Sequence, residues 1–313
     1  MECIFGIDIG GTNVKLGILS RGGEILDSGS ITTMAADGPG RVAERARDWM
    51  DEHGGGERSP IAAGVDCAGL VDGSKGFLYS SPNLPGWENT DLETIFSECL
   101  SLPVVVENDV NAAAYGEYRC GAGRGTSCFA CVTLGTGVGG GIVTGGKIFR
   151  GSSGFAGEIG HTVIQIDGPP CSCGKRGHVE ALVGAMAIVE RARRAMEGGE
   201  KSILGDRGQL TVKDIHGAAL AGDDLAIDVL AETGRYLGYG LCNIVHLFNP
   251  EIIAVGGGIA AAGDFILEHA RQTVRQNVMN ERLAGVRIVR AELGNTASFT
   301  GAALLAAESV STR

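Results

Sequence analysis

No apolar stretch in this sequence approaches the roughly 20 residues a helix needs to cross a bilayer, which argues against a membrane-spanning protein. No basic segment, apolar run and small-residue cleavage site precede the first strand-like stretch, which begins at Ile4. Positive charge is scarce: 26 Lys and Arg stand against 37 Asp and Glu, for a net charge of −11. Such an acidic chain is a poor general binder of phosphate backbones, and the excess reads as ordinary solubility charge. The cysteines, nine of them, are not an even set laid out as a disulfide framework. With no secretory signal ahead of them they point to the cytoplasm and reduced thiols. The Walker pattern G-x-x-x-x-G-K-[ST] is missing as well.

What the chain has in quantity is glycine, 52 residues of 313. The glycines are not low-complexity; they punctuate apolar runs as "DIGGTN", "LGTGVGGG" and "AVGGGIA". Turns that bring backbone N–H groups close to a ligand need such residues. Hydrophobic residues at 44% and charged residues at 20% read as a soluble globular protein, and the length suits one large domain or two ordinary ones. Cys3, Cys67, Cys128 and Cys131 lie in apolar runs and are expected to be small buried hydrophobes. Cys171 and Cys173 lie in a polar, Gly/Pro-rich segment and call for another explanation.

"IFGIDI", a glycine turn, "VKLGIL" and "RGGEIL" read as a meander of strands. "GRVAERARDWMDEHG" has helical periodicity with a glycine stop. "IAAGVDCAGLVDG" and "LPVVVENDV" return to strand, and "VNAAAYGEYRCG" reads as a short helix. The opening then recurs: "CFACVTL", the turn "GTGVGGG" and "IVTGGKIF". A strand, a glycine turn with a hydroxyl and a second strand thus occur once in each half, which hints at a duplicated fold. Long helical segments follow, with the strands "EIIAVGGG" and "VRIVRAEL" between them and a last helix near "ASFTGAALLAAES".

"GTGVGG" matches the dinucleotide pattern G-x-G-x-x-G, but that fold needs a helix after it, and here β-branched, glycine-broken residues follow. The better reading is two glycine turns between antiparallel strands, whose N–H groups grip phosphate oxygens from two sides. The first turn adds Asp8, able to hold Mg²⁺ directly or through water, and Thr12; the second adds Thr136. The bland alternative is a pair of tight hairpins without a ligand.

The run "GEIGHTVIQIDGPPCSCGKRGHVEA" holds His161, Cys171, Cys173 and His178. In a reduced compartment C-x-C in a polar loop is a metal or redox motif before it is a disulfide. Closed structural zinc sites take four Cys and His ligands, and this run supplies four. The alternative is a loop of exposed thiols with His178 capping the next helix. At "VVVENDVN", Glu107, Asn108 and Asp109 end a buried strand, a good place for a carboxylate base; Asp109 is equally suited to cap the helix that follows.

Together, "FGIDIGGTNVKLGIL", "ENDVNAAAYGE", "LGTGVGGGIV", "GSSGFAGEIGH" and "CSCGKRGHVEA" resemble the successive motifs of the ROK family of sugar kinases and repressors, in family order from about residue 4 to residue 305. The resemblance implies an α/β, two-domain actin/hexokinase-like (ribonuclease H-like) fold with a cleft for sugar and ATP. Residues 1–111 plus 299–313 would form a small domain, and 112–298 a large one carrying the zinc loop. It implies ATP-dependent phosphorylation of a hexose 6-hydroxyl, glucose first, or else of N-acetylmannosamine, N-acetylglucosamine or fructose. A sugar-responsive repressor is the remaining alternative, disfavoured because the phosphate motif starts at Asp8, leaving no room for a DNA-binding domain ahead of it.

The implied base is Asp109. The implied sugar contacts are Gly69, Asn83, Asn108, Asp109, Glu158, His161 and Glu180; for Glu180 a plain helix-dipole carboxylate is the alternative. The nucleotide and Mg²⁺ would lie on Asp8, Gly10, Gly11, Thr12, Asn13, Lys15, Gly135, Thr136, Gly137, Gly256, Gly257 and Gly258. Zinc would be held by His161, Cys171, Cys173 and His178, where many relatives have a cysteine in place of His178. A zinc-bound His161 would offer its other N–H to the sugar. The resemblance also implies a homodimer through the large domain, with no nucleic-acid or membrane partner.

Overall fold

The computed structural model describes residues 1–55, 58–205 and 208–311. Strands β1 (Glu2–Ile9), β2 (Asn13–Leu19) and β3 (Ile25–Thr32) lead into helix α1 (Pro39–His53) and β4 (Ser59–Cys67). Three short strands follow, β5 (Leu70–Asp72), β6 (Phe77–Ser80) and β7 (Thr90–Asp91), then α2 (Leu92–Leu100), β8 (Val104–Asn108) and α3 (Asp109–Cys120). The pattern restarts with β9 (Cys128–Leu134), β10 (Val138–Thr144) and β11 (Lys147–Ile148). Next come α4 (Val179–Val183), α5 (Ala185–Glu197), α6 (Val212–Leu220), α7 (Asp224–Phe248), β12 (Ile252–Gly256), α8 (Asp264–Asn277), α9 (Glu281–Ala284), β13 (Arg287–Arg290) and α10 (Ala297–Ser311). Among the described residues no helix is long and apolar enough to cross a membrane.

One sheet has the order β3-β2-β1-β4-β8 and the other β11-β10-β9-β12-β13. Counted within each half, both run 3-2-1-4-5, so the duplication hinted at by the repeated glycine turns is present as topology. In the first sheet β1, β2 and β3 are antiparallel neighbours, while β4 and β8 run parallel to β1. In the second, β12 is parallel to both β9 and β13. This is the α/β, actin-like architecture expected from sequence.

Seven of the eight β1 residues are buried, as a strand covered on both faces requires. Its side chains alternate. Cys3, Phe5, Ile7 and Ile9 join Trp49, Met50 and Phe96 in the core under α1 and α2, whereas Ile4 joins Phe299 and Ala303 of α10. All nine cysteines are free thiols; Cys3, Cys67 and Cys131 are buried as expected, Cys128 only partly.

The chain divides into two compact units. One holds Met1–Gly125, Gly141–Gly157 and Glu292–Arg313; the other holds Thr126–Gly140 and Glu158–Ala291. The expected cut at residue 111 falls inside α3, whereas the compact division falls at Gly125 and also gives residues 141–157 to the first unit. The reason lies in α10. A Cβ at Gly64 of β4 would stand 1.9 Å from the Ala302 carbonyl oxygen, and one at Gly301 would stand 1.7 Å from that of Ala112 in α3. Glycine at these two points lets α10 press its backbone onto both the sheet and α3, which binds α3 to the first unit.

Candidate active site and metal centre

In the first unit, strand register sets Asp8 of β1 opposite Asp66 of β4, and Asp66 opposite Glu107 of β8. Laterally paired residues share a face, so three carboxylates line one face near the C-terminal ends of three strands. Two are compensated. Asp8 accepts from Lys15 Nζ at 2.9 Å. Glu107, 1% exposed, accepts from Arg150 Nε at 2.9 Å and again from Arg150 Nη2, from Asn111 Nδ2 at 3.1 Å and from the Asn108 N–H at 3.1 Å. Asp66 is fully buried, and among the described residues no N–H or hydroxyl donor serves either of its oxygens; the carboxyl can be satisfied only by keeping its proton and sharing it with the Asp8 carboxylate. Burial pushes its carboxyl well above the usual range, and the charges of Asp8 and Asp109 add to the effect. Neutralising the group is how a buried acid avoids the cost of an unpaired charge. Asp66 and Arg150 were not singled out from sequence, and Glu107 was noted only for its place at the strand end, not for this pairing. The available signal for Asp66 is a lone carboxylate in the otherwise apolar run "AAGVDCAG".

Helix α3 begins where β8 ends because Asn108 caps it. Its Oδ1 accepts from the Val110 N–H at 2.9 Å and the Asn111 N–H at 3.1 Å. The capping alternative considered for Asp109 therefore does not hold; Asp109 is the first helical residue. The Asn108 amide donates from Nδ2 to the Gly69 carbonyl at 3.1 Å and to Asp109 Oδ1 at 3.0 Å. Gly69 has φ 135°, and a Cβ there would stand 2.4 Å from the Ser80 carbonyl oxygen, so only glycine fits. Asn83 abuts the first glycine turn, its carbonyl oxygen 3.1 Å from where a Gly11 Cβ would be. The first unit thus groups Gly69, Asn108 and Asp109, and sets Asn83 against the turn at 10–13 that leads from Asp8 to Lys15.

In the second unit the turn at Gly135–Gly137 is closed by Gly135 N–H to the Gly137 carbonyl at 2.9 Å, and the Gly135 carbonyl accepts from the Ala185 N–H at 3.1 Å. Gly257 has φ 83°, and its Cβ would stand 2.3 Å from the Leu134 carbonyl oxygen. The loop Gly256, Gly257, Gly258 therefore lies on the end of β9, one residue before the turn of Gly135, Thr136 and Gly137. Glu180, in the first turn of α4, reaches back to the same turn: Oε2 accepts from the Val138 N–H at 3.2 Å. Its Oε1 accepts from Ser172 Oγ and from Cys171 Sγ, the latter at 3.3 Å. Burial opposes ionisation of Glu180, but the bonds from Ser172, Cys171 and Val138 outweigh it and hold the carboxyl below its usual range. Glu180 is thus more than a dipole-favoured carboxylate; it ties the Cys/His loop to the glycine turn.

His161, Cys171, Cys173 and His178 each offer one ligand atom, all within 4.8 Å of one another. Cys171 Sγ lies 3.6 Å from His161 Nδ1, and Cys173 Sγ lies 3.3 Å from His178 Nδ1. A tetrahedral zinc with ordinary Zn–S and Zn–N bonds has S···N edges of about 3.5 Å, so the donor set fits that ion. The loop folds back through bridges pairing Val163 with His178 and Pro170 with Arg176. Cys171 N–H donates to the Lys175 carbonyl at 2.8 Å and Gly174 N–H to the Cys171 carbonyl at 3.0 Å. His178 occupies the N-cap position of α4, yet its side chain makes no capping bond, which removes the capping alternative. With His161 Nδ1 turned to Cys171, its Nε2 lies 4.0 Å from Glu158 Oε2, so the two ends of the E-x-G-H segment are neighbours.

Two sheets of one topology, a glycine turn in each and a Cys/His loop after the second define a class: residues 4–309 match the ROK family, and the chain belongs to it. It is 38% identical over 305 residues to a glucokinase of Halalkalibacterium halodurans, across 95% of this chain and 92% of that protein. A ROK family glucokinase from Streptomyces griseus, solved in complex with glucose and AMPPNP, superposes with a TM-score of 0.78 at 36% identity, covering 98% of this chain and 99% of that one. A ROK family transcriptional regulator, a homologue of the E. coli MLC protein, superposes with a TM-score of 0.89 at 27% identity, covering 97% of this chain but 77% of the regulator.

Proposed function

We propose that this protein transfers the γ-phosphoryl group of ATP to the 6-hydroxyl of a hexose, with glucose as the preferred sugar. The observation that carries the reading is at the start of α3: Asn108 holds the cap, so the helix does not need Asp109 to start. A carboxylate so placed can take the hydroxyl proton as that oxygen bonds to the γ-phosphorus and the bond to the β-phosphate oxygen breaks, releasing ADP. Asp8, beside the first glycine turn and paired with Lys15, is the oxygen donor suited to Mg²⁺, which when bound neutralises charge on the phosphates. Exposed N–H groups of the turns at 10–13 and 135–137, with the loop 256–258, take the phosphates and the adenosine side. Asn83, Asn108, Glu158, His161 and Glu180 take sugar hydroxyls, beside the Gly69 backbone.

The Cys/His cluster is read as a structural zinc centre. With Nδ1 of His161 on the metal, its ring is fixed and Nε2–H is left as a donor. Assembly as a homodimer through the larger domain belongs to the same reading and rests on the family resemblance.

A coupled ADP-release assay over hexoses and N-acetylhexosamines tests it. Turnover strongest with glucose is expected. Turnover confined to N-acetylmannosamine, N-acetylglucosamine or fructose would move the substrate. Sugar binding with no ADP release from any of them would overturn the kinase reading and favour a sugar-responsive regulator.

A further inference from the structure

Three of the four carbonyls of the first glycine turn, at 10–13, have protein partners. Gly10 O accepts from Thr33 Oγ at 2.6 Å, Thr12 O accepts from the Thr33 N–H at 2.9 Å, and Asn13 O accepts from the Gly10 N–H at 3.1 Å. With these carbonyls turned inward, the N–H groups between them turn outward. Gly11 and Thr12 are exposed, and no protein group among the described residues accepts from their N–H groups. Successive outward N–H groups in a turn make an anion-binding concavity. One residue supplies two of these clamps, Thr33, through its hydroxyl to Gly10 and its backbone N–H to Thr12. Thr33 follows directly on β3 and is fully buried, too deep to touch a ligand itself. Its own carbonyl is held by Arg45, which also pairs with Asp37 at 2.9 Å. The β-branch at Thr33 further limits its rotamers, so the hydroxyl is presented to Gly10 in a fixed direction.

We propose that Thr33 is the positioning residue of the nucleotide site, holding the turn at 10–13 so that the Gly11 and Thr12 N–H groups face a phosphate oxygen. The assignment rests on the kinase reading, since the turn is a phosphate site only if a nucleotide binds. It goes beyond that reading in giving the geometry of the turn a cause outside the glycine motif.

The test compares Thr33→Val, which keeps the shape and removes the hydroxyl, with Thr33→Ser, which keeps the hydroxyl. AMPPNP with Mg²⁺ is titrated by calorimetry, glucose by tryptophan fluorescence, and amide exchange is followed over residues 10–13. Thr33→Val should bind AMPPNP roughly three- to tenfold more weakly, the range of one hydrogen bond, and exchange faster at 10–13. Its glucose affinity should stay near that of the parent, and KM for ATP should rise more than kcat falls. Thr33→Ser should recover most of the nucleotide affinity. Equal AMPPNP affinity in Thr33→Val and parent would overturn the proposal. So would a parallel fall in nucleotide and sugar affinity with a large drop in Tm that Thr33→Ser does not reverse, because that is general loosening. If the unmodified protein binds sugar but no AMPPNP, the kinase reading itself fails and the proposal fails with it.

Discussion

Asp109→Asn separates chemistry from structure at one atom. Asn has the shape of Asp but cannot accept the sugar proton. The fold barely depends on the difference, because the cap of α3 rests on Asn108, whose Oδ1 holds Val110 and Asn111; the roughly 1 kcal/mol of a side-chain cap is untouched. What the variant loses is a first-turn negative charge at a helix N-terminus, about 0.3–1 kcal/mol. Its buried neighbours Asp66 and Cys67, both held in their neutral forms, lose no repulsion in exchange. Tm should therefore fall by no more than a few degrees, on the scale of about 1 kcal/mol. Base catalysis is worth about 10²–10⁴-fold, so kcat should fall at least about 10²-fold with sugar affinity largely kept. Coupled ADP release gives kcat, calorimetry gives Tm and a sugar titration gives affinity. A variant with near-normal kcat and an unchanged Tm would refute the assignment and send the search for the base elsewhere.

Elemental analysis of protein purified without chelator should find one zinc per chain, and Cys171→Ala should lose it, melt lower and bind sugar more weakly as His161 loses its anchor; a chelated protein with unchanged Tm and sugar affinity would end that claim. Asp66 has a carboxyl raised by burial and by its charged neighbours. A raised acid favours the fold fully only below the unfolded value, 3.8, and that contribution is lost as pH climbs through the folded value. Asp66→Asn should therefore raise Tm by a few degrees at pH 8 and by less at pH 5; an equal shift at both, or a fall at pH 8, would show that Asp66 carries no such cost.

The glycine turns and the gathering of the Cys/His loop were legible because their signals are local. Gly10–Gly11 and Gly135–Gly137 announce themselves within a few residues, and C-x-C between two histidines needs no knowledge of the rest of the chain. Asp66 was not legible, because its significance comes from parallel pairing that sets residues 8, 66 and 107 side by side, across spans that no local pattern reports. The allegiance of α3 was hidden for the same reason, being decided by Gly64 and Gly301 against backbone far away in sequence. The cap of α3 was misplaced by one residue, since β8 runs straight into the helix and two adjacent side chains could each have closed it.

The helix that completes the first unit, α10, is synthesised long after the rest of that unit. α10 starts about 170 residues after Gly125, which at 5–20 residues per second is a delay of roughly 10–30 s. Throughout that interval the face of the first sheet bearing Ile4, Leu19 and Ala62 has no cover. A nascent chain halted anywhere short of residue 297 therefore presents an open apolar sheet, the kind of surface that chaperones bind and that aggregates when they do not. Quality control of the first unit is set by the fifteen residues of α10, however well the two glycine turns have already formed.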